Sequence, residues 1–376
     1  MNWPTTQLAE IADLLSGGTP PKADPRMWDG QIPWVSPKDM DRWLLDDAED
    51  HVAPTAIGNG TRIAPLGATL IVVRSMGLAS RVQLAYPRRD VAFNQDLKAI
   101  VARPGIHPRF LFYALAAARP RIHEQVDEAS HGTKRIQTYV LETLPIPVPP
   151  EAKQAAIAMV LGALDDKIDL NQHTIDNCLA LCHSMFDLAS RDAVNSVPLF
   201  RVAAVHFGFP FRSGMFNARG DGIPLIRIRD LQSGAPTVWT TEESPLETNV
   251  KPGDVLVGMD GEFRCYYWLG TSARMNQRVC RIQPIGTSRA YLAEALRGPL
   301  AAFEAGKTGT TVIHLNKVDL ETVSVPVVPE SAMDVFSRKT EPLVDLAVAL
   351  AGQNRNLTQL RDALLPELIS GRMTVN

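Results

Sequence analysis

The chain has 376 residues, 45% of them apolar and 21% charged, with 38 basic against 41 acidic side chains and a net charge of −3. Such a length and composition suit a soluble globular protein of two or three domains, each large enough for its own core. No 18-residue apolar run occurs, Ala155–Leu164 being the nearest approach, and the charge balance argues against strong non-specific polyanion binding while leaving room for a local basic face.

The opening residues MNWPTTQLAEIADLL carry acids and lack the basic-then-apolar order of a secretory signal. Four cysteines in the whole chain fit a reducing cytoplasm better than a disulfide framework. Gln7–Leu14 has a short helical pattern, closed by Gly17-Gly18. Apolar, β-rich runs follow at Ile32–Val35, Thr69–Val73, Val82–Leu84 and Lys98–Val101, separated by Gly, Pro and Asn. Between them Asp39–Asp50 packs six acids around Arg42, which reads as a solvated loop rather than a metal site. A helix is expected over Pro108–Ala118, then a proline-rich strand, Pro145–Pro150, suited to an edge or a domain exit.

From Glu151 to about Ala189 apolar residues recur at Ile157, Leu161, Leu164, Ile168, Ile175, Cys178, Cys182 and Met185, an a/d seam whose one gap is filled by Asn171. Cys178 and Cys182 fall on that seam, so with His183 they read as packing rather than as a zinc site. Strands are next expected at Leu225–Ile228, Val255–Val257 and Val279–Ile282, with a helix over Arg289–Glu304. A second seam runs through Leu343, Leu346, Leu350, Leu357, Leu360 and Leu364, with Gln353 in its gap. Pro366 is expected to break or kink that helix and Gly371 to end it.

The two halves repeat one another. Gly17 matches Gly208, Asp29–Met40 matches Asp221–Leu231, and Asn94-Gln95 matches Asn276-Gln277. Gly67 and Leu70 match Gly253 and Leu256, Gly132-Thr133 matches Gly309-Thr310, and Leu141–Pro147 matches Leu320–Pro326. The two seams also correspond, at a constant offset through the polar interruption. The fold class expected is α/β of the mixed α+β kind: two similar globules, residues 1–150 and 191–329, separated by two long helices, 151–190 and 330–376. Pairing of the seams would form an antiparallel coiled coil with pseudo-twofold symmetry. In such a pair the midpoints Asn171 and Gln353 meet, holding the register. The seam from Ile157 to Met185 is about 43 Å long at 1.5 Å per residue. That is close to the roughly 34–36 Å between half-sites one DNA turn apart.

The ending Leu360–Arg372, with Leu364-Leu365-Pro366-Glu367-Leu368-Ile369-Ser370-Gly371 inside it, resembles the C-terminal signature of type I restriction–modification specificity subunits. So do Gly17-Gly18-Thr19-Pro20-Pro21, Trp28-Asp29-Gly30 and Ile32–Ser36, and the order globule, helix, globule, helix is similar to that family's over the whole chain. The second half departs from the loop pattern, with Gly208-Phe209-Pro210-Phe211 in place of Gly17-Gly18-Thr19-Pro20. The resemblance implies a cytoplasmic, non-catalytic subunit that reads a bipartite, asymmetric site in double-stranded DNA. It further implies that the helices dock two modification (methyltransferase) subunits, with restriction (translocase and nuclease) subunits joining them. S-adenosylmethionine, ATP and Mg would then serve those partners' adenine methylation and cleavage, and this chain would hold no cofactor.

The residues agree with such a division of labour: there is no Asn-Pro-Pro-Tyr tetrapeptide, no glycine-rich S-adenosylmethionine loop and no Walker A sequence. Candidate DNA contacts are basic or hydroxyl residues at matched loop and strand ends, because these types reach base edges and phosphates. They are Thr19 and Lys22 against Arg212 and Ser213; Ser36 and Lys38 against Arg227 and Arg229; Arg74 and Ser75 against Arg264; and Thr133, Lys134 and Arg135 against Lys307, Thr310 and Thr311. Each is as consistent with a solvated charge or a local ion pair. Their differences between halves predict two different half-sites. A coiled-coil scaffold with two protein-binding globules is the alternative.

Overall fold

Contacts divide the chain, described by a computed structural model over residues 3–128, 132–191, 195–261, 263–306 and 314–375, into two units. One takes Met1–Asp169 with Leu357–Asn376, the other Leu170–Asn356. The division therefore passes through both long helices rather than before and after them.

In the first unit the antiparallel order is Ala12–Ser16, Leu97–Ala102, Thr69–Val72, Leu84–Pro87. A second sheet sets Ile32–Val35 parallel to Val91–Phe93, with Trp34 opposite Ala92 and Val35 opposite Phe93, and Asp50–Val52 and Arg62–Ala64 outside them. The helix Pro108–His123 begins with proline at its first position, where no amide donor is needed, and His107 accepts from the Phe110 amide at 3.4 Å. It buries Phe110, Leu111, Phe112, Tyr113 and Leu115 among Leu70, Ile71 and Ile100. Each such side chain contributes roughly 1.5–3 kcal/mol of burial.

The second unit repeats the plan with other residues. Its antiparallel order is Ala203–Phe207, Val279–Pro284, Val255–Gly258, Cys265–Tyr267. Ile223–Ile226 runs parallel to Ala273–Met275, and Arg289–Gly306 is the covering helix. Gly67 and Gly253 hold the same left-handed turn, at φ +85° and +91°.

Three expectations need correction near the strand ends. Only Leu8–Ile11 is helical, and Ala12–Ser16 continues as a strand because pairing with Leu97–Ala102 outweighs a weak helical period. The strand expected to reach Ile228 stops at Ile226, and Ile228–Asp230 is a single 3₁₀ turn. The strand expected at Val82–Leu84 lies at Leu84–Pro87.

The long helices, called the first and second arms below, span Glu151–Ala189 and Glu330–Ser370. Pro366 does not end the second arm, which runs four residues further to Ser370 before Gly371 turns left-handed at φ +78°. In the second unit Asn171 donates to Gln353, and the Cys182 thiol lies 3.9 Å from the Thr340 carbonyl, so the arms run antiparallel there. The first arm buries its seam where expected, at Ile157, Leu161, Ile175, Cys178 and Cys182. The second arm is rotated by one residue: Val344, Ala347, Arg361 and Leu365 are buried, whereas Leu346 and Leu360 are 42% and 48% exposed. No described helix is long and apolar enough to cross a membrane.

Candidate nucleic-acid interface

Each unit closes its parallel strand pair with the same backbone knot. In the first, Gly18 donates its amide to Phe93 and Asn94 donates to Val35, both at 2.9 Å. In the second, Gly208 donates to Val279, Phe209 to Met275 and Asn276 to Ile226, each at 3.0 Å. A Cβ on Gly17 or Gly208 would fall far inside contact distance of the Asn94 or Asn276 carbonyl oxygen, which is why glycine stands at both places. What differs is the side chains this knot presents. Thr19 donates its hydroxyl to Gln95 on the exposed rim, and the Trp34 indole donates to Gly18 at 3.1 Å. The second unit instead stacks Phe209 edge-on against Phe211, ring centres 5.1 Å apart.

The strand exits are also built alike. Ser36 donates its amide and hydroxyl to Asp39, at 2.9 and 3.0 Å. Arg227 does the same with Asp230, giving its amide at 2.9 Å and its guanidinium at 3.0 and 3.2 Å, and donates to Thr237 at 2.7 Å. Ser36 and Arg227 are thus occupied in capping a turn. Lys38 stands between Glu49 and Asp50, 2.9 Å from each, which holds its ammonium charged but surrounds it with acid. Its counterpart Arg229 is exposed.

A small three-stranded sheet in the first unit gathers four of the candidates. Arg74–Ser75 pairs with Lys134–Arg135, which pairs with Asp127–Glu128, placing Arg135 across from Arg74 and Lys134 across from Ser75. Asp96 holds Arg74 at 2.6 Å and Glu128 holds Lys134 at 2.9 Å, while Arg135 remains exposed beside the half-buried Thr133. Like charges opposite one another weaken a sheet, a cost that a bound polyanion removes. Ser75 accepts from the Gly77 amide at 3.0 Å and so starts the turn Met76–Ala79.

The second unit has no copy of this ladder among its described residues. Asp260 bridges to His314 and pairs with Arg278 at 3.2 Å, and Arg264 lines a cleft beside the helix Arg289–Gly306. Lys307, Thr310 and Thr311 lie outside the described residues. Arg212, 83% exposed, and Ser213 sit on an outward loop with Arg219, which pairs with Asp221 at 2.9 Å. Lys22 is exposed after the first glycine turn. The rim glutamines Gln95 and Gln277 are further candidates, since an amide side chain matches the adenine edge. Their signal was the repeated Asn-Gln pair, which reads equally as framework.

Away from these surfaces, Cys178 and Cys182 are buried on the first arm, and burial pushes the Cys182 thiol up to about 11. His183 meets the buried carboxylate of Glu294 at 3.1 Å. Asn171, itself buried, gives its amide to Gln353 at 2.7 Å and Asn354 at 2.8 Å.

Residues 1–179 match the model of the type I restriction modification DNA specificity domain. The type I restriction enzyme EcoBI specificity subunit of Escherichia coli is 32% identical over 193 residues, half of this chain and 41% of that protein. The chain thus spans well under half the length of that relative. Over its full length it is 23% identical to the MjaIX specificity subunit of Methanocaldococcus jannaschii, covering 94% of that protein. The crystal structure of a type I restriction-modification S subunit from M. genitalium has the same fold, with a TM-score of 0.56 at 16% identity over 98% of this chain and 96% of that one. With the duplicated mixed α+β globules and their long helices, these likenesses make the chain similar to type I restriction–modification specificity subunits, the DNA specificity domain being matched over residues 1–179.

Proposed function

We propose that this chain is the DNA-reading subunit of a type I restriction–modification complex, each globule recognising one half of a bipartite, asymmetric site. Two modification subunits dock on the arms, and restriction subunits join them. Adenine methylation and cleavage, with S-adenosylmethionine, ATP and Mg, belong to those partners in the cytoplasm, and this chain holds no catalytic group of its own.

One observation carries the reading: the glycine knot and capped strand exit are built twice, yet present different side chains. Thr19, Gln95 and the Arg74–Arg135 ladder stand in the first unit, and Phe209, Arg212 and Arg229 in the second. A framework held constant under changed readers is what two unlike half-sites require.

The test exchanges residues 1–150 for the corresponding domain of another specificity subunit and maps methylated sites after assembly with modification subunits. One half of the motif should change and the other stay. Change in both halves, or in neither with activity retained, rejects independent readers. Methyl transfer by the purified chain alone rejects the division of labour.

A further inference from the structure

In the first unit a cleft of about 460 Å³ opens between the C-terminal half of the helix Pro108–His123, the segment Ser80–Val82 and the second arm at Asp362–Pro366. Its walls carry Arg81, Arg119 and His123 against one carboxylate, Asp362. Arg361 already engages that carboxylate at 2.8 Å. Among the described residues neither Arg81 nor Arg119 has an ion-pair partner. Arg119 gives one N–H to the Ala116 carbonyl at 3.0 Å and lies over the Trp43 ring at 4.9 Å. Burial, with repulsion from Arg361 and Arg81 set against attraction by Asp362, pulls its pKa below the usual arginine value. The His123 Nε2 is buried with no hydrogen-bond partner among the described residues. A partly buried guanidinium facing like charge beside an unsatisfied ring nitrogen is costly unless an anion completes the group.

A cleft against the corresponding helix of the second unit, with no arm residue in its lining, makes the contrast. It lies between the helix Arg289–Gly306 and Phe263–Tyr266, and carries Arg264, Arg297 and Glu304. Arg297 is held by the buried Glu294 at 2.7 Å, and Glu304 accepts from the Phe263 amide at 2.9 Å. A carboxylate there engages Arg297 directly, whereas the lining carboxylate of the first cleft, Asp362, is held by Arg361.

We propose that the first cleft binds a phosphate group through Arg81, Arg119 and His123, and that the group is a backbone phosphate of DNA beside the bases read by this globule. Arg81 follows the turn Met76–Ala79, which starts from Ser75 of the basic sheet, so one short segment joins the Arg74–Arg135 ladder to the wall of the cleft. The DNA source of the phosphate rests on the function proposed above; the anion site does not.

The test titrates the full chain with inorganic phosphate by calorimetry at low ionic strength. Wild type and Arg297→Gln should show one saturable site, weakened at least about tenfold in Arg81→Gln and in Arg119→Gln by loss of a charged partner. Arg119 packs on Trp43, so the exposed Arg81 serves as the variant that leaves packing intact, with thermal unfolding as the control. In the complex with modification subunits, the slope of log affinity against log salt should fall by about one unit for Arg81→Gln, alike for every duplex sequence. Phosphate binding indifferent to Arg81 and Arg119 overturns the site. Phosphate binding lost with the DNA slope unchanged overturns the backbone assignment. A complex that binds no DNA while the chain still takes phosphate at Arg81 sinks the DNA-reading function and keeps the anion site.

Discussion

The two globules share their backbone and differ in how they are fastened and what they present. The first is fixed to the arms by a buried polar cluster: Tyr113 donates to Asp165 at 2.6 Å, Arg361 donates to it at 2.8 Å, and the Arg361 guanidinium lies 3.7 Å from the Trp43 ring centre. The second is fixed by Arg289, which reaches Glu341 at 2.8 Å and Asp345 nearer the surface, and by the buried Glu294, which meets His183 of the first arm at 3.1 Å. Arg109 plays the corresponding part in the first, paired with Asp166 at 2.6 Å. The outer latch is therefore duplicated, whereas the buried clusters differ: in the second unit Glu294 accepts from Tyr267 and meets His183 of the first arm. Framework and outer latch are common property of the repeat, whereas the rim and the inner cluster diverged, so substitutions should behave alike in the first class and unlike in the second.

The largest difference should come from the inner cluster. Asp165→Ala leaves the Arg361 charge, only 10% exposed, with Asp362 alone, and should cost about 3–5 kcal/mol in denaturant unfolding. Asp345→Ala removes a carboxylate that is 69% exposed while Glu341 still holds Arg289, and should stay within about 0.5 kcal/mol. Equal losses would erase the distinction between buried cluster and outer latch.

The glycine knots should show the opposite result. Gly17→Ala and Gly208→Ala each drive a methyl group into a neighbouring carbonyl, so each should destabilise by about 1–3 kcal/mol or more, and by similar amounts. Thermal unfolding in which one of them is silent would mean that the knots are not equivalent.

Much of this was legible because it repeats. Sequence alone located the sheet strands from Ile32, Thr69, Val255 and Val279 onward and both arms, since their apolar periods are strong and occur twice. Side-chain partnership across the fold was harder to see. Ser36 and Arg227 looked like readers of DNA; a Ser-x-x-Asp or Arg-x-x-Asp spacing is equally the mark of a capped turn, and the turn claims them. Counting leucines placed the second arm's buried line one residue early, because Val344, Ala347 and Leu365 make a second apolar stripe beside the first. Arg361 decides between the stripes by lying over Trp43 and bonding Asp165, long-range contacts that no local pattern encodes. The Arg74–Arg135 ladder likewise needs two segments sixty residues apart to pair.

On the readers the expected effects are smaller and differ in kind. Arg229 is exposed at a capped strand exit, and Arg229→Ala should relax one base position of the second half-site, costing about 1–3 kcal/mol there. Arg135→Ala, on the basic sheet of the first unit, should weaken every sequence alike and lower the salt slope by about one. Binding assays on duplexes substituted one position at a time separate the two. Base selectivity lost at Arg135, or uniform weakening at Arg229, would exchange their assignments.

The smallest effect on stability should come from the amide between the arms. Asn171→Leu removes two hydrogen bonds, but Gln353 is exposed and Asn354 half-buried, so both side chains can turn to water and no buried group is left unpaired. The change in unfolding free energy should stay within about 1 kcal/mol. The register is another matter. The second arm carries two apolar stripes one residue apart, and rotation about its axis would bury Leu346 and Leu360 in place of Ala347 and Arg361. Asn171 meets adjacent acceptors, one from each side of that choice, and an apolar side chain in its place would accept either stripe. The expected outcome is unchanged stability with faster amide hydrogen exchange along the facing segment of the second arm. Exchange identical to wild type would mean that packing alone fixes the phase and that the buried amide does not select it.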